Sequence, residues 1–80
     1  MKFKAGDIVV IDGGNIDIIG CVGKITKACI GVVFPYIVEF FPPENWSYIS
    51  TACREFLAIE LKKASEEEQT EYYLKVLRNS

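Results

Sequence analysis

The sequence GCVGKITKACIGVVFPYIVEFF, residues 20–41, predicts the fold more strongly than any other stretch of the chain. From residue 36 onward, its apolar and aromatic side chains alternate between two faces, which is the period of a β-strand. Tyr36, Val38 and Phe40 share one face. We expect this face to be buried, because the opposite face carries Glu39.

Two glycines open the same stretch, since Gly20 and Gly23 precede Ile25. A glycine inside a strand usually marks a bulge, a sharp bend or a close approach of the backbone. Small barrels need such bends in order to close. We therefore predict a strand over residues 21–28 that turns back into a second strand over residues 36–41.

Further strands are predicted on both sides of this hairpin. The apolar run at residues 8–11 is bounded by turn residues, and both of its faces are apolar, as in a strand that is partly covered on its outside. Residues 46–50 alternate and predict a fourth strand, whereas residues 51–55 predict a single helical turn. Residues 57–61 predict a fifth strand, with a helix as the alternative.

The C-terminal segment carries the signals of a helix. Ser65 precedes Glu68 by three positions, which is the spacing of a capping box. Acidic residues stand near the start and basic residues near the end, as the helix dipole favours. A short isolated helix is only marginally stable in water. We therefore expect the stripe of residues along one of its faces to pack on the same chain, on a partner or on a second copy. The stripe consists of Gln69, Tyr72, Tyr73, Val76 and Leu77.

Length and composition limit the fold and the location. The 80 residues make one domain, which we divide into a barrel, residues 1–64, and a helix, residues 65–80. A net charge of −2 provides no electrostatic footprint for nucleic acid or for an anionic membrane. The chain starts without a signal-peptide pattern, and no apolar run reaches the ~20 residues of a membrane span. Three cysteines without a CxxC motif suit a reducing compartment, so we expect a cytoplasmic protein.

Along residues 3–64, glycines stand at the expected bends and apolar residues stand at the expected core positions. The resulting pattern resembles an SH3-like barrel, and its order is most similar to the small stromal E subunit of photosystem I and the variable chain of ferredoxin–thioredoxin reductase. Residues 20–25 also resemble the KOW element of ribosomal and transcription-factor barrels. The pattern is Gly6-Asp7-x-Val9-x-Ile11, Gly20-x-Val22-Gly23-x-Ile25, Phe34-Pro35-Tyr36-Ile37-Val38-Glu39-Phe40 and Phe56-x-x-x-Glu60-Leu61.

The resemblance implies a mainly β fold class, a small five-stranded SH3-like barrel with a C-terminal α-helix. In those families the barrel is a docking or assembly piece without catalytic residues. It therefore implies a non-enzymatic module that binds another protein, as an adaptor or accessory subunit. One alternative is a KOW-like nucleic-acid-binding domain, against which the scarcity of clustered Lys and Arg argues. The other is a small phage or mobile-element inhibitor of a host protein.

No set of residues in the sequence matches a catalytic or metal-binding pattern. The chain has no histidine, the usual base for a nucleophilic cysteine and a common zinc ligand. We interpret Cys21, Cys29 and Cys53 as small apolar side chains in or near the core. The aspartates around the first strand are interpreted as solvated turn residues. We accordingly expect no catalytic residue, no metal site and no cofactor.

The candidate partner-binding residues are aromatic. Phe41, Trp46 and Tyr48 surround a loop that begins with two prolines. Tyr and Trp are enriched at interface hot spots, so these three side chains could form a platform for a protein partner. The alternative is that they cap one end of the barrel or pack under the C-terminal helix. We predict that Trp46 lies at the partner surface and not in the core.

Overall fold

The computed structural model describes residues 2–14, 16–43 and 51–78. Within them, five antiparallel strands form one sheet in the order β4-β3-β2-β1-β5, and a single α-helix follows. The chain is therefore mainly β, as predicted. The strands are β1 (Ile8–Ile11), β2 (Val22–Ala28), β3 (Tyr36–Phe40), β4 (Ala52–Phe56) and β5 (Leu61–Lys63), the helix is α1 (Glu66–Arg78), and short 3-10 helices span Ile16–Ile18 and Ala58–Glu60.

The predicted hairpin is confirmed. β2 and β3 pair antiparallel, and the register shifts between Ile25 and Lys27, which is a bulge in β2. The predicted phase of β3 is also confirmed, because Tyr36, Val38 and Phe40 are all buried. This one alternating strand therefore defines the inner face of the sheet.

Gly23 is required by close packing. A Cβ atom at this position would lie 2.6 Å from the carbonyl oxygen of Glu39 and 2.7 Å from Cγ1 of Val38. Real Cβ atoms almost never come within 3.0 Å of such neighbours. Gly20 is required for a different reason, since its φ of 95° is in the left-handed region that glycine tolerates best.

The prediction for residues 51–55 is wrong, and the prediction for residues 57–61 is only partly right. The first segment is strand β4, which pairs with β3 from Ala52↔Phe40 to Phe56↔Tyr36. A neighbouring strand that supplies a ladder outweighs a weak local preference for a helical turn. The second segment is mostly the 3-10 helix Ala58–Glu60, and the strand begins only at Leu61. The predicted strand at residues 46–50 lies outside the described residues.

The core has an inner and an outer part. The inner cluster lies on the face of the sheet that carries Val38 and takes residues from all five strands: Phe3, Val9, Ile11, Ile18, Ile25, Tyr36, Val38, Phe40, Phe56 and Leu61. The outer cluster joins Ile8 and Val10 of β1 to Ala64 and Tyr72. The prediction that β1 is covered on both faces is therefore confirmed, and part of α1 supplies the outer cover.

The capping box predicted at the start of α1 is also confirmed. The backbone N–H of Ser65 donates to Oε1 of Glu68 at 2.9 Å, and the backbone N–H of Glu68 donates to Oγ of Ser65 at 3.2 Å. These two bonds satisfy donors that a helix start otherwise leaves unpaired. They fix where the helix begins, directly after Ala64 reaches the outer cluster.

Candidate interaction surfaces

The connection between β2 and β3 carries an exposed group of apolar side chains. Ile30 is 86 % exposed, Val32 54 %, Val33 76 % and Phe34 42 %. We refer to these four residues as the apolar loop. Scattered apolar residues are normal at protein surfaces, but a contiguous group is typical of a binding site.

Backbone geometry holds the apolar loop away from the core. The last rung of the hairpin ladder pairs Ala28 with Tyr36. One residue further on, the N–H of Cys29 donates to the carbonyl of Pro35 at 2.7 Å and closes the base of the loop. Gly31 then turns the chain with a φ of 84°. The apolar side chains therefore stand beyond the end of the ladder.

The base of the loop is packed against the N-terminal segment. The hydroxyl of Tyr36 accepts a hydrogen bond from the backbone N–H of Phe3 at 3.2 Å, and the two rings meet edge to face with centroids 5.5 Å apart. This contact holds Phe3 beside Tyr36, the first residue of β3. The N-terminal segment thus packs against the base of the apolar loop.

Helix α1 presents a second exposed apolar surface. Its buried aromatic residue is Tyr72, which belongs to the outer cluster. Leu74 is 47 % exposed and Leu77 70 % exposed, and Tyr73 is exposed beside them. We refer to Tyr73, Leu74 and Leu77 as the outer helix stripe. The sheet therefore covers only part of the apolar surface predicted for this helix.

The aromatic residues predicted from the sequence are only partly described. Phe41 is half-buried, and its ring centroid lies 5.6 Å from that of Tyr72. The Nζ atom of Lys75 lies 6.0 Å from the same ring. Phe41 thus packs under α1, which was one of the two alternatives for the aromatic group. Trp46 and Tyr48 lie outside the described residues.

Two of the cysteines, Cys21 and Cys53, lie in surroundings that disfavour the thiolate. Burial raises the pKa of the half-buried Cys21. The exposed Cys53 has a raised pKa because of slight burial and because its thiol donates to the Glu39 carboxylate, with Sγ 3.8 Å from Oε2. A raised pKa lowers the fraction of reactive thiolate. Across residues 2–14, 16–43 and 51–78, no group of three or more Cys, Asp or Glu side chains is arranged to hold a metal ion.

Sequence reasoning did not identify the apolar loop as a surface. The pattern predicts only a connection at residues 29–35, where polar residues are the usual expectation. The available signal was the run Ile30-Gly31-Val32-Val33-Phe34, in which four apolar residues stand where the chain must turn. Apolar side chains in a turn have no ladder and no sheet face on which to pack.

Comparison with known proteins does not assign the chain to a family. The chain matches no model of a known protein family and no curated protein sequence. In the part of the chain that the structure describes, no helix combines the length and the apolar character needed to cross a bilayer. The proposals about function therefore rest on the two apolar surfaces, the apolar loop and the outer helix stripe.

Proposed function

We propose that this protein is a non-enzymatic interaction module, an adaptor or accessory subunit that binds another protein through the apolar loop. The observation that supports it is the exposure of four apolar side chains at one hairpin tip, led by Ile30 and Val33. A partner with an apolar cleft would remove these side chains from water. Fully burying one such side chain contributes roughly 1.5–3 kcal/mol, so a few of them suffice for specific binding.

The base of the apolar loop supports the proposal. A segment that is already held in place loses less conformational entropy when it binds a partner. The Cys29–Pro35 hydrogen bond and the packing of Tyr36 on Phe3 hold both ends of the loop. Holding these ends in place reduces the conformational entropy that is lost when the partner binds. The apolar tip also suits a protein partner better than nucleic acid, whose affinity comes mostly from Lys and Arg at phosphates.

Site-specific photocrosslinking in cells tests the proposal. A photoreactive residue at Val33 should crosslink to a defined protein, whereas the same residue at Ile59 should not. Ile59 is a matched control, because it is 85 % exposed but stands on a separate 3-10 helix. Identical crosslinking patterns from the two positions would contradict the proposal.

Binding of the purified partner completes the test. Val33→Asp should weaken this binding at least about tenfold, since a charge would enter an apolar cleft, and Ile59→Asp should leave it unchanged. A Val33→Asp variant that binds the partner normally would overturn the role of the loop. Sedimentation with phosphatidylserine vesicles separates a protein partner from a lipid surface, and binding to vesicles alone would overturn the proposal.

We also propose that the five strands form an SH3-like barrel. The strand order supports this arrangement, and so does the inner cluster, to which the edge strands β4 and β5 contribute Phe56 and Leu61. A solution structure tests it. Contacts across the core between β4 and β5 are expected, and two edges far apart would contradict closure.

The aromatic platform predicted from Phe41, Trp46 and Tyr48 stays a prediction about the same function, and it now depends on Trp46 and Tyr48, because Phe41 packs under α1. We expect Trp46→Ala to weaken partner binding while the melting temperature stays nearly unchanged. A Trp46→Ala variant that binds normally but melts much lower would assign this side chain to the core. The apolar loop would then be the remaining candidate surface.

A further inference from the structure

The outward face of α1 has a regular arrangement that packing on the sheet does not use. Thr70, Leu74 and Leu77 follow one another at steps of four and three residues, so they lie along one line of the helix. Leu74 and Leu77 are exposed on that line, whereas Tyr72 points into the outer cluster. Helix α1 thus has a second line of apolar side chains, on the side that faces away from its own sheet.

Acidic and basic side chains lie at opposite ends of this second side of the helix. Glu67 and Arg78 are eleven residues apart, about three helical turns, so both flank the line through Leu74 on the same side. Glu66 and Glu67 stand in the first turn and Arg78 stands in the last turn, whereas Glu68 is held by the capping box and Lys75 lies over the Phe41 ring. Each end of the helix is therefore complementary to the opposite end of an identical helix.

We propose that α1 mediates self-association of two copies of this chain, with the two helices antiparallel. Leu74 of each copy would pack at the centre, Leu77 would pack beside Thr70 of the other copy, and Glu67 would lie opposite Arg78 of the other. The antiparallel direction follows from the charges and the dipoles, because each positive helix N-terminus then lies beside a negative C-terminus. A parallel pair would place the two Glu67 side chains together.

Two depressions on the surface of the helix agree with the same arrangement. A depression lined by Glu66, Glu67, Thr70 and Glu71 lies toward the N-terminal end of α1. A second, adjoining depression toward the C-terminal end is lined by Glu71, Leu74, Lys75 and Arg78. In the antiparallel pair, Arg78 of one copy reaches the acidic depression of the other. The contact is reciprocal, so a two-fold axis relates the copies.

The size of the surface predicts weak association. A helix of 13 residues is about 20 Å long, so two of them bury much less than the roughly 800 Å² per partner of a stable dimer. We expect a dissociation constant between about 10 μM and 1 mM. The surface is separate from the apolar loop, so failure of one proposal leaves the other standing.

Sedimentation velocity on the purified chain, at concentrations up to about 1 mM, tests the proposal. Glu67→Arg and Arg78→Glu should each weaken self-association about five- to tenfold, because symmetry converts two attractive contacts into two repulsive ones. The double variant Glu67→Arg/Arg78→Glu should restore it. An equimolar mixture of the two single variants should also associate, since both reciprocal contacts are then attractive.

Two controls keep the test specific. Glu55→Arg makes the same charge change on β4 and should leave self-association unchanged, and Leu74→Asp should abolish it. A chain that stays monomeric up to about 1 mM would overturn the proposal. Self-association that ignores the charge reversals but is lost with Val33→Asp would also overturn it, because the apolar loop would then be the contact.

Discussion

Two short segments of this chain have nearly the same composition and opposite surroundings. Strand β1 reads Ile-Val-Val-Ile and is buried throughout, with exposures of 0–4 %. The apolar loop reads Ile-Gly-Val-Val-Phe and is largely exposed. Hydrophobicity alone therefore does not decide which of the two segments lies inside.

The difference comes from neighbours on both sides of the backbone. β1 lies between β2 and β5 in the sheet, with the inner cluster on one face and α1 on the other. The apolar loop begins where the β2–β3 ladder ends, so it has no strand partner. An apolar segment without a neighbouring strand or a covering helix keeps its side chains exposed to solvent and accessible to a partner.

The largest expected effect compares the same substitution in the two segments. Val9→Asp should unfold the protein, because an unpaired charge would enter a fully buried site and cost several kcal/mol out of a total stability of about 5–15 kcal/mol. Val33→Asp should change the melting temperature little. Thermal unfolding followed by circular dichroism measures both. A folded Val9→Asp protein would contradict the assignment of β1 to the core.

The next effect concerns the strand that joins the two segments. Gly23→Ala should destabilise the fold by about 1–3 kcal/mol, since its Cβ would overlap the backbone of β3 opposite. Urea unfolding measures the change. Gly13→Ala is the control, because the nearest atom to its new Cβ would be 3.3 Å away, and its effect should be smaller. Equal effects would remove close packing as the reason for Gly23.

A pair of adjacent tyrosines tests the outer cover of β1. Tyr72→Ala should cost about 2 kcal/mol and reduce helix content, because Tyr72 packs on Ile8 and Val10. Tyr73→Ala should be close to neutral, as Tyr73 is half exposed in the outer helix stripe. Chemical denaturation and far-UV circular dichroism report both quantities. If the two variants behave alike, α1 does not protect β1.

The smallest effect concerns the helix start. The backbone N–H of Ser65, donating to the Glu68 carboxylate, holds the pKa of Glu68 below its usual range. The resulting stability is fully present above the ordinary glutamate pKa of about 4.3 and is lost as the pH falls through the lower pKa of the folded protein. Unfolding free energies between pH 7 and pH 3 measure it. Glu68→Gln keeps the geometry of the capping box and should show a weaker dependence on pH in this range.

Most of the fold was predictable from local pattern, whereas the candidate surfaces were not. The alternation of residues 36–40 and the capping box at Ser65 are readable because each reports on its own few neighbours. β4 was misassigned, because its residues Ala-Cys-Arg-Glu-Phe have no clear period and become a strand by pairing with β3. The apolar loop was missed for a related reason, since its exposure depends on where a ladder between two other segments ends.

The amino-acid sequence by itself therefore determined the mainly β class, the central hairpin, the inner face of β3 and the start of α1. Each of these follows from steric and hydrogen-bonding preferences that act over a few residues. Only the tertiary structure decided which apolar segments are covered. Burial depends on elements far apart in the chain, as when α1 covers β1 while its own Leu74 and Leu77 remain exposed. The two apolar surfaces that carry the proposals become visible only when that packing is known.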